Sequence, residues 1–122
     1  MGFDQVLANY KNSMGINEQS MTDVNRRKKE LEHAKAELHH MKRKESAFLN
    51  QMFYELRDED SKKDRYMFEV LIEESHKDYR RMEMRYDYET NEIDKERKRL
   101  SIQKDQIQAD YQRELSRLGK GG

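Results

Sequence analysis

The chain has 122 residues, of which 34% are hydrophobic and 41% charged, and its 25 basic side chains equal its 25 acidic ones. So little apolar material excludes a thick globular core, and zero net charge excludes the long-range positive field of most nucleic-acid binders. There is no cysteine for disulfide or thiol chemistry and no proline to interrupt a helix, so the composition favours long helices.

The first predicted element begins near Phe3, where apolar residues recur at the i, i+3, i+4, i+7 spacing of an amphipathic helix. They are Phe3, Val6, Leu7, Tyr10 and Met14. Gly15 and Asn17 are candidates to break or soften this helix. Ser20-Met21-Thr22-Asp23 resembles a capping box, which predicts the start of a new helix there.

A second apolar stripe continues the first helical arm, which we place over about residues 3–56. It runs through Val24, Leu31, Ala34, Leu38, Met41, Phe48, Met52 and Leu56. Arg27 and Glu45 fall at inner positions of this stripe and interrupt it.

A turn is predicted near residues 57–62, the longest stretch without an apolar residue in the middle of the chain. Asp60 or Ser61 can cap the next helix by accepting from its free N–H groups. The second arm is expected over about residues 62–118, ended by Gly119, with residues 119–122 as a flexible tail. It carries a large apolar residue at every seventh position: Ile72, Tyr79, Tyr86, Ile93, Leu100 and Ile107.

A strict seven-residue stripe needs a partner helix along its length, and the first arm supplies a matching one. Folding at residues 58–60 places Leu31 near Tyr86 and Leu7 near Tyr111, apolar against apolar. We therefore predict an all-α fold, a long antiparallel two-helix hairpin of coiled-coil type that forms a single domain over residues 1–122.

Several apolar residues near the turn exceed what one partner helix can cover, and we predict that they bind a protein partner. The candidate partner-binding residues are Phe48, Leu49, Met52, Phe53, Leu56, Met67, Phe68, Leu71 and Ile72. An alternative stays open, in which these side chains widen the hairpin's own core near its tip.

The sequence gives little support for a catalytic or metal-binding site. Glu-x-x-His occurs as Glu30/His33, Glu37/His40 and Glu73/His76, a spacing known from di-metal helical bundles, but Leu38 and Met41 are expected to occupy the inward face. We therefore expect no metal, no cofactor and no enzymatic activity. The basic runs have acids beside them, which favours a solvated helix face over nucleic-acid binding, and no apolar run is long enough for membrane insertion.

Three segments together resemble a family of small helical proteins encoded beside LXG toxins of type VII secretion systems in Gram-positive bacteria. They are residues 48–56 (FLNQMFYEL), 71–82 (LIEESHKDYRRM) and 91–100 (NEIDKERKRL), and the resemblance covers roughly residues 45–118. The turn, Arg57-Asp58-Glu59-Asp60, has neither the Trp nor the Gly of the WXG-like (Esx-like) hairpins that such proteins share in shape.

The resemblance implies a targeting factor or chaperone that binds the helical N-terminal domain of an LXG-type toxin and presents it for secretion. A second small WXG-like protein is a further candidate partner, and a homodimer is a candidate state of the protein alone. The expected location is cytoplasmic, with export beside the partner through a dedicated system as an open extension. The alternative function is a structural coiled coil, or an export-chaperone hairpin of the type III or flagellar kind, with no toxin partner.

Overall fold

The computed structural model describes residues 2–56 and 62–121, with side chains described up to residue 119. Two helices, α1 (Phe3–Glu55) and α2 (Lys62–Gly121), pack against each other. The prediction of an all-α helical hairpin is therefore confirmed. Most of the predicted turn, residues 57–61, lies outside the described residues.

Helix α1 is continuous, so of the two alternatives for Gly15 and Asn17 the break does not occur, and the predicted new helix start at Ser20 is wrong. Thr22 shows why the capping box does not form, because its hydroxyl donates to the Glu18 carbonyl (2.9 Å) inside the helix. Asp23 accepts from Gln19 (3.2 Å), one turn earlier, instead of capping a helix start. The Thr22 and Asp23 side chains therefore form their hydrogen bonds within one continuous helix.

The limits of the two helices can be compared with the predicted ones. In α1, the Leu56 N–H donates to the Phe53 carbonyl (3.2 Å), a tightened final turn. Helix α2 begins at Lys62, as predicted, with Asp64 in its positively polarised first turn. It continues to Gly121, so the prediction that Gly119 ends it is wrong.

Contacts within the chain fall into two units, and the single-domain prediction stays a prediction. The terminal unit comprises Met1–Lys29 and Asn91–Gly122, and the central unit comprises Glu30–Thr90. In the terminal unit, the buried apolar side chains are Val6, Val24 and Leu100. The rings of Tyr10 and Tyr111 stack there with centroids 4.0 Å apart, so Tyr111 meets a residue one turn further along than the predicted Leu7.

In the central unit, the buried apolar side chains are Leu31, Leu38 and Tyr79. Lys35 contacts Asp87 (2.6 Å) and Lys42 contacts Glu83 (2.9 Å), so rising numbers in α1 meet falling numbers in α2. The helices of this unit are therefore antiparallel, as predicted. The same order holds within the terminal unit, where Asn17 contacts Leu100 and Lys28 contacts Asp94.

Candidate partner-binding surface

The nine residues predicted to bind a partner are all left at least partly accessible by the hairpin. We call them the turn-end surface: Phe48, Leu49, Met52, Phe53, Leu56, Met67, Phe68, Leu71 and Ile72. Phe48 is 61% exposed, Met67 54% and Leu71 46%, while the other six are half-buried. The described part of the chain therefore leaves Phe48, Met67 and Leu71 uncovered.

The buried core of the central unit stops short of this surface. Between Leu38 and Ser75, none of the described residues is buried. The alternative in which the turn-end residues widen the hairpin's own core is therefore wrong for Phe48, Met67 and Leu71, which remain exposed. Two helices side by side offer too little cover for so many apolar side chains, and a further layer is what such residues ordinarily pack against.

Aromatic side chains around the turn-end surface extend it beyond the predicted residues. Tyr54 is 79% exposed and Tyr66 is 65% exposed. The predicted set of partner-binding residues contains neither, although each is a large aromatic residue close to the turn. Phe53 is partly shielded, since the Arg65 guanidinium lies 5.5 Å from its ring centroid and the Tyr54 ring meets it edge-on at 6.1 Å.

A second apolar feature of the central unit was not predicted. A groove of about 330 Å³ runs between the helices, with Leu38 and Tyr79 beneath it and Met41 and Met82 beside it. Met41 was expected to point inward, but it is 58% exposed, because it lies on the flank of the seam formed by Leu31 and Leu38. The signal that could have found this groove is the seven-residue spacing of Ala34, Met41 and Phe48.

Charged residues line the other side of the seam, and sequence reasoning missed their pattern too. Lys28, Lys35 and Lys42 recur every seven residues in α1 and meet acids of α2. The pKa of Glu83 lies below its usual value, mainly because its carboxylate accepts a hydrogen bond from Lys42. The charges of Lys42 and His39 add to this effect, while burial and Asp87 oppose it.

The two charged interruptions of the first arm both have interhelical partners. Arg27 forms an ion pair with Glu96 in the terminal unit. In the central unit, the hydroxyl of Tyr79, a largely buried residue, donates a short, part-buried hydrogen bond to Glu45. That bond is the main cause of a raised pKa of Tyr79, with burial and the Glu45 charge acting in the same direction.

The histidines and the basic runs carry no built site among the residues that the structure describes. No group of three or more His, Cys, Asp or Glu side chains in the described ranges could hold a metal ion. His33 instead pairs with Glu37 (3.1 Å), four residues on. Basic residues of the runs pair with acids, either of their own helix, as Arg26 does with Asp23, or of the other helix, as Lys28 does with Asp94.

No described helix is long and apolar enough to cross a membrane. Comparison with known proteins adds no family: no protein-family model, no curated protein and no solved structure matches this chain. What the structure offers is apolar contact area flanked by paired charges, the make-up of protein–protein interfaces.

Proposed function

We propose that this chain is a non-enzymatic interaction protein that binds a helical partner through the turn-end surface. One observation carries the proposal: large apolar side chains stay exposed where the buried core of the central unit has stopped. Uncovered apolar area of this kind costs free energy in water, roughly 25 cal/mol per Å², so covering it with a partner is favourable. Phe48 contributes such an exposed side chain from α1, and Met67 contributes one from α2.

A helix is the partner that suits this surface. The apolar side chains project from two neighbouring helices, and those of α1 recur as Phe48, Met52 and Phe53, the i, i+4, i+5 spacing of a helix flank. A third helix laid along such a pair can insert its side chains between those of both helices. Large aromatic and Met side chains also dominate the energetics of interfaces.

The partner we propose is the helical N-terminal domain of an LXG-type toxin, which the chain would serve as a targeting factor or chaperone for type VII secretion. This assignment rests on the resemblance of residues 48–56, 71–82 and 91–100 to small proteins encoded beside such toxins. Both observations concern the same region, because the turn-end surface lies within or next to two of these three segments. A chaperone of this kind gains stability and order when its partner covers the apolar surface.

Co-purification tests the proposal. The tagged chain is co-expressed with the helical N-terminal domain of an LXG toxin, and we expect the two to elute together at low salt. Phe48→Asp and Met67→Asp should each weaken the complex by about 30-fold, as burying an unpaired charge at a central contact does. Isothermal titration gives the dissociation constants.

Matched controls come from exposed residues of the same types elsewhere. Phe3→Asp replaces a Phe that is 53% exposed in the terminal unit, and Met84→Asp replaces a Met that is 65% exposed outside the turn-end surface. Both should bind as tightly as the unaltered chain. The proposed partner is wrong if no LXG gene lies beside this one, or if the two proteins do not co-purify.

The alternative function, a structural coiled coil or export-chaperone hairpin without a toxin partner, is favoured by the interhelical contacts. The Lys35–Asp87 pair and the Tyr79–Glu45 hydrogen bond hold the two helices together without a third. Under this alternative, thermal unfolding of the chain should not change when the LXG domain is added. Under the primary proposal, the midpoint should rise with the concentration of that domain.

A further inference from the structure

The groove of the central unit is a second contact surface, and it shares no residue with the turn-end surface. The apolar side chains that line it are Ala34, Leu38, Met41, Tyr79, Met82 and Tyr86. Met41 and Met82 are both exposed, so the described helices leave them largely uncovered. An apolar lining of this kind favours an occupant that brings apolar side chains of its own.

The charged side chains that line the groove are all acidic. They are Glu37, Glu45 and Asp78, and no basic side chain of the described residues lines the groove. Because Glu45 accepts a hydrogen bond from Tyr79, the sequence neighbour of Asp78, two of the acids lie towards one end of the groove. Glu37 lies about two helical turns away, towards the other end.

Within the described part of the chain, no Lys or Arg side chain neutralises these acids. Glu37 contacts His33 (3.1 Å), which is charged only when it is protonated. Glu45 accepts its hydrogen bond from the neutral Tyr79 hydroxyl, and Asp78 has no ion pair among the described residues. The groove therefore carries uncompensated negative charge beside apolar side chains.

The opposite flank of the Leu31–Leu38 seam is different. There Lys35 pairs with Asp87 (2.6 Å) and Lys42 pairs with Glu83 (2.9 Å). The hairpin thus supplies a Lys partner for the acids of one flank and none for the acids of the groove. Positive charge from outside the hairpin would complement the groove, whereas two copies placed face to face would bring acids together.

A buried hydroxyl beside these acids also lacks a partner. Ser75 is only 9% exposed and lines the groove, and its hydroxyl forms no hydrogen bond among the described residues. Asp78 follows it by three residues, on the same face of α2. Carboxylates only accept hydrogen bonds and a hydroxyl can also accept one, so an ammonium or guanidinium group could donate to both kinds of side chain.

We propose that the groove binds a basic amphipathic helix of a protein partner. Glu37 and Glu45 are about 12 Å apart along the axis of α1, at 1.5 Å per residue. A helix laid along the groove spans this distance with Lys or Arg at two positions seven residues apart, which lie on one face. One base lies between Glu45 and Asp78, beside Ser75, and the other lies at Glu37.

The apolar lining decides for an amphipathic helix over a wholly polar cation. In the proposed helix, the third and fourth positions after the first base lie on the same face as the two bases. Apolar side chains there contact Met41 and Met82, whose flexible side chains adapt to the shape of a partner. This inference goes beyond the proposed function, because it concerns a different surface and does not depend on what binds at the turn end.

The first test is binding of a synthetic peptide to the full chain, followed by fluorescence anisotropy. The peptide has about 18 residues, long enough to be partly helical, with Lys at two positions seven residues apart and Leu at the third and fourth positions between them. We expect saturable binding that weakens as salt is added. A counterpart with Glu in place of each Lys should bind at least about tenfold more weakly.

Charge reversal on the chain locates the site. Glu37→Lys and Asp78→Lys should each weaken binding of the Lys peptide by at least about fivefold. Matched controls reverse exposed acids that do not line the groove, Glu32→Lys on α1 and Asp105→Lys on α2. Both controls should stay within about twofold of the unaltered chain, because distant exposed charges are screened. Far-UV circular dichroism of each variant checks that its helix content is kept.

Ser75→Ala separates binding from folding. Removing a buried hydroxyl that has no partner should leave the free chain at least as stable in urea unfolding. The same variant should bind the Lys peptide about threefold more weakly, because the bound ammonium loses an acceptor. A purely structural Ser75 would give lower stability and unchanged affinity, and that result would contradict the inference.

Three further results would overturn the inference. They are equal binding of the Lys and Glu peptides, equal binding by Glu37→Lys and Glu32→Lys, and no binding of the Lys peptide at low salt. A dimer of the chain alone that the peptide dissociates would mean that a second copy fills the groove, and would overturn it as well. No LXG domain enters these experiments, so their failure leaves the proposed function standing.

Discussion

Asn17 and Leu100 are joined by a buried hydrogen bond of the terminal unit, in which the Asn17 side-chain amide donates to the Leu100 carbonyl at 2.9 Å. The same amide donates to Gln103 Oε1 at 3.0 Å. Asn17 is only 2% exposed, on a row that continues through Val24 seven residues later. A polar side chain among apolar ones is satisfied only in one alignment of the helices, so this contact specifies their register.

Asn17→Ala should therefore destabilise the chain by about 1–3 kcal/mol, because it leaves a cavity and removes the amide's two hydrogen bonds. Urea unfolding followed by circular dichroism measures the change. Asn12→Ala is the control, since Asn12 is exposed on the same helix. Equal stability of the two variants would show that the buried amide contributes nothing to the folded state.

Gly15→Ala should stabilise the chain by about 0.5–1 kcal/mol. Gly15 lies inside α1 without a positive φ, and a Cβ added there meets no atom within 4 Å, so Ala gains helix propensity without a clash. The midpoint of urea unfolding should rise. Gly119→Ala, equally open but near the end of α2, should give a smaller gain. A destabilised Gly15→Ala variant would mean that α1 needs a glycine at this position.

Tyr79 should make stability sensitive to alkaline pH. Its pKa is raised above the ordinary 10.0, so the folded state holds the proton more tightly than the unfolded state. The resulting stability is fully present below the unfolded pKa and is lost as pH rises through the folded pKa. Tyr79→Phe should cost about 1 kcal/mol at neutral pH, and this difference should shrink as pH rises above 10.0.

Urea unfolding at several pH values gives the comparison for Tyr79→Phe. Tyr88→Phe, at a side chain that is 65% exposed on the same helix, controls for the general loss of stability in alkali. If the difference between Tyr79→Phe and the unaltered chain does not change with pH, the Glu45 hydrogen bond does not act on the titration of Tyr79.

The Lys42–Glu83 ion pair should make stability sensitive to acidic pH. The pKa of Glu83 is lowered from 4.5 mainly by the Lys42 hydrogen bond, so this stability is present above 4.5 and is lost as pH falls through the folded pKa. Because both side chains are partly exposed, Lys42→Met should cost only about 0.5 kcal/mol at neutral pH. The cost should vanish in acid and should fall when salt is added.

The control for Lys42→Met is Lys29→Met, at an exposed position of the same helix. Its unfolding free energy should stay within a few tenths of a kcal/mol of the unaltered chain at every pH. A pH-independent cost of Lys42→Met would indicate lost packing of the Lys stem instead of a lost ion pair.

The heptads of α2 predicted a partner helix, because one apolar stripe with so little other core requires one, and the matching stripe of α1 predicted that this partner belongs to the same chain. The break considered near Asn17 does not occur, and local propensity carries no information on the hydrogen bond that this residue forms to a residue 83 positions away. Met41 was misplaced for a different reason. The seam and its flank differ by less than one residue's rotation around the helix, so the spacing alone does not decide which side chain is covered.

The turn-end residues were proposed from the sequence because their number exceeds what one partner helix covers. Phe48, Met67 and Leu71 are exposed in the hairpin and the other six are half-buried, while both the binding role of this surface and the identity of the partner remain proposals. Counting apolar residues does not predict the contacts of Glu45 and Arg27. Each interrupts an apolar stripe and yet has a partner on α2.

Hydrogen exchange, measured with and without the LXG domain, tests the central proposal most directly. If that domain covers the turn-end surface, backbone amides of residues 48–56 and 67–72 should exchange more slowly in the complex, by at least about tenfold. Amides of residues 6–24 and 100–111 should change little. Protection confined to those terminal residues, or no protection anywhere when binding is saturated, would contradict the proposal.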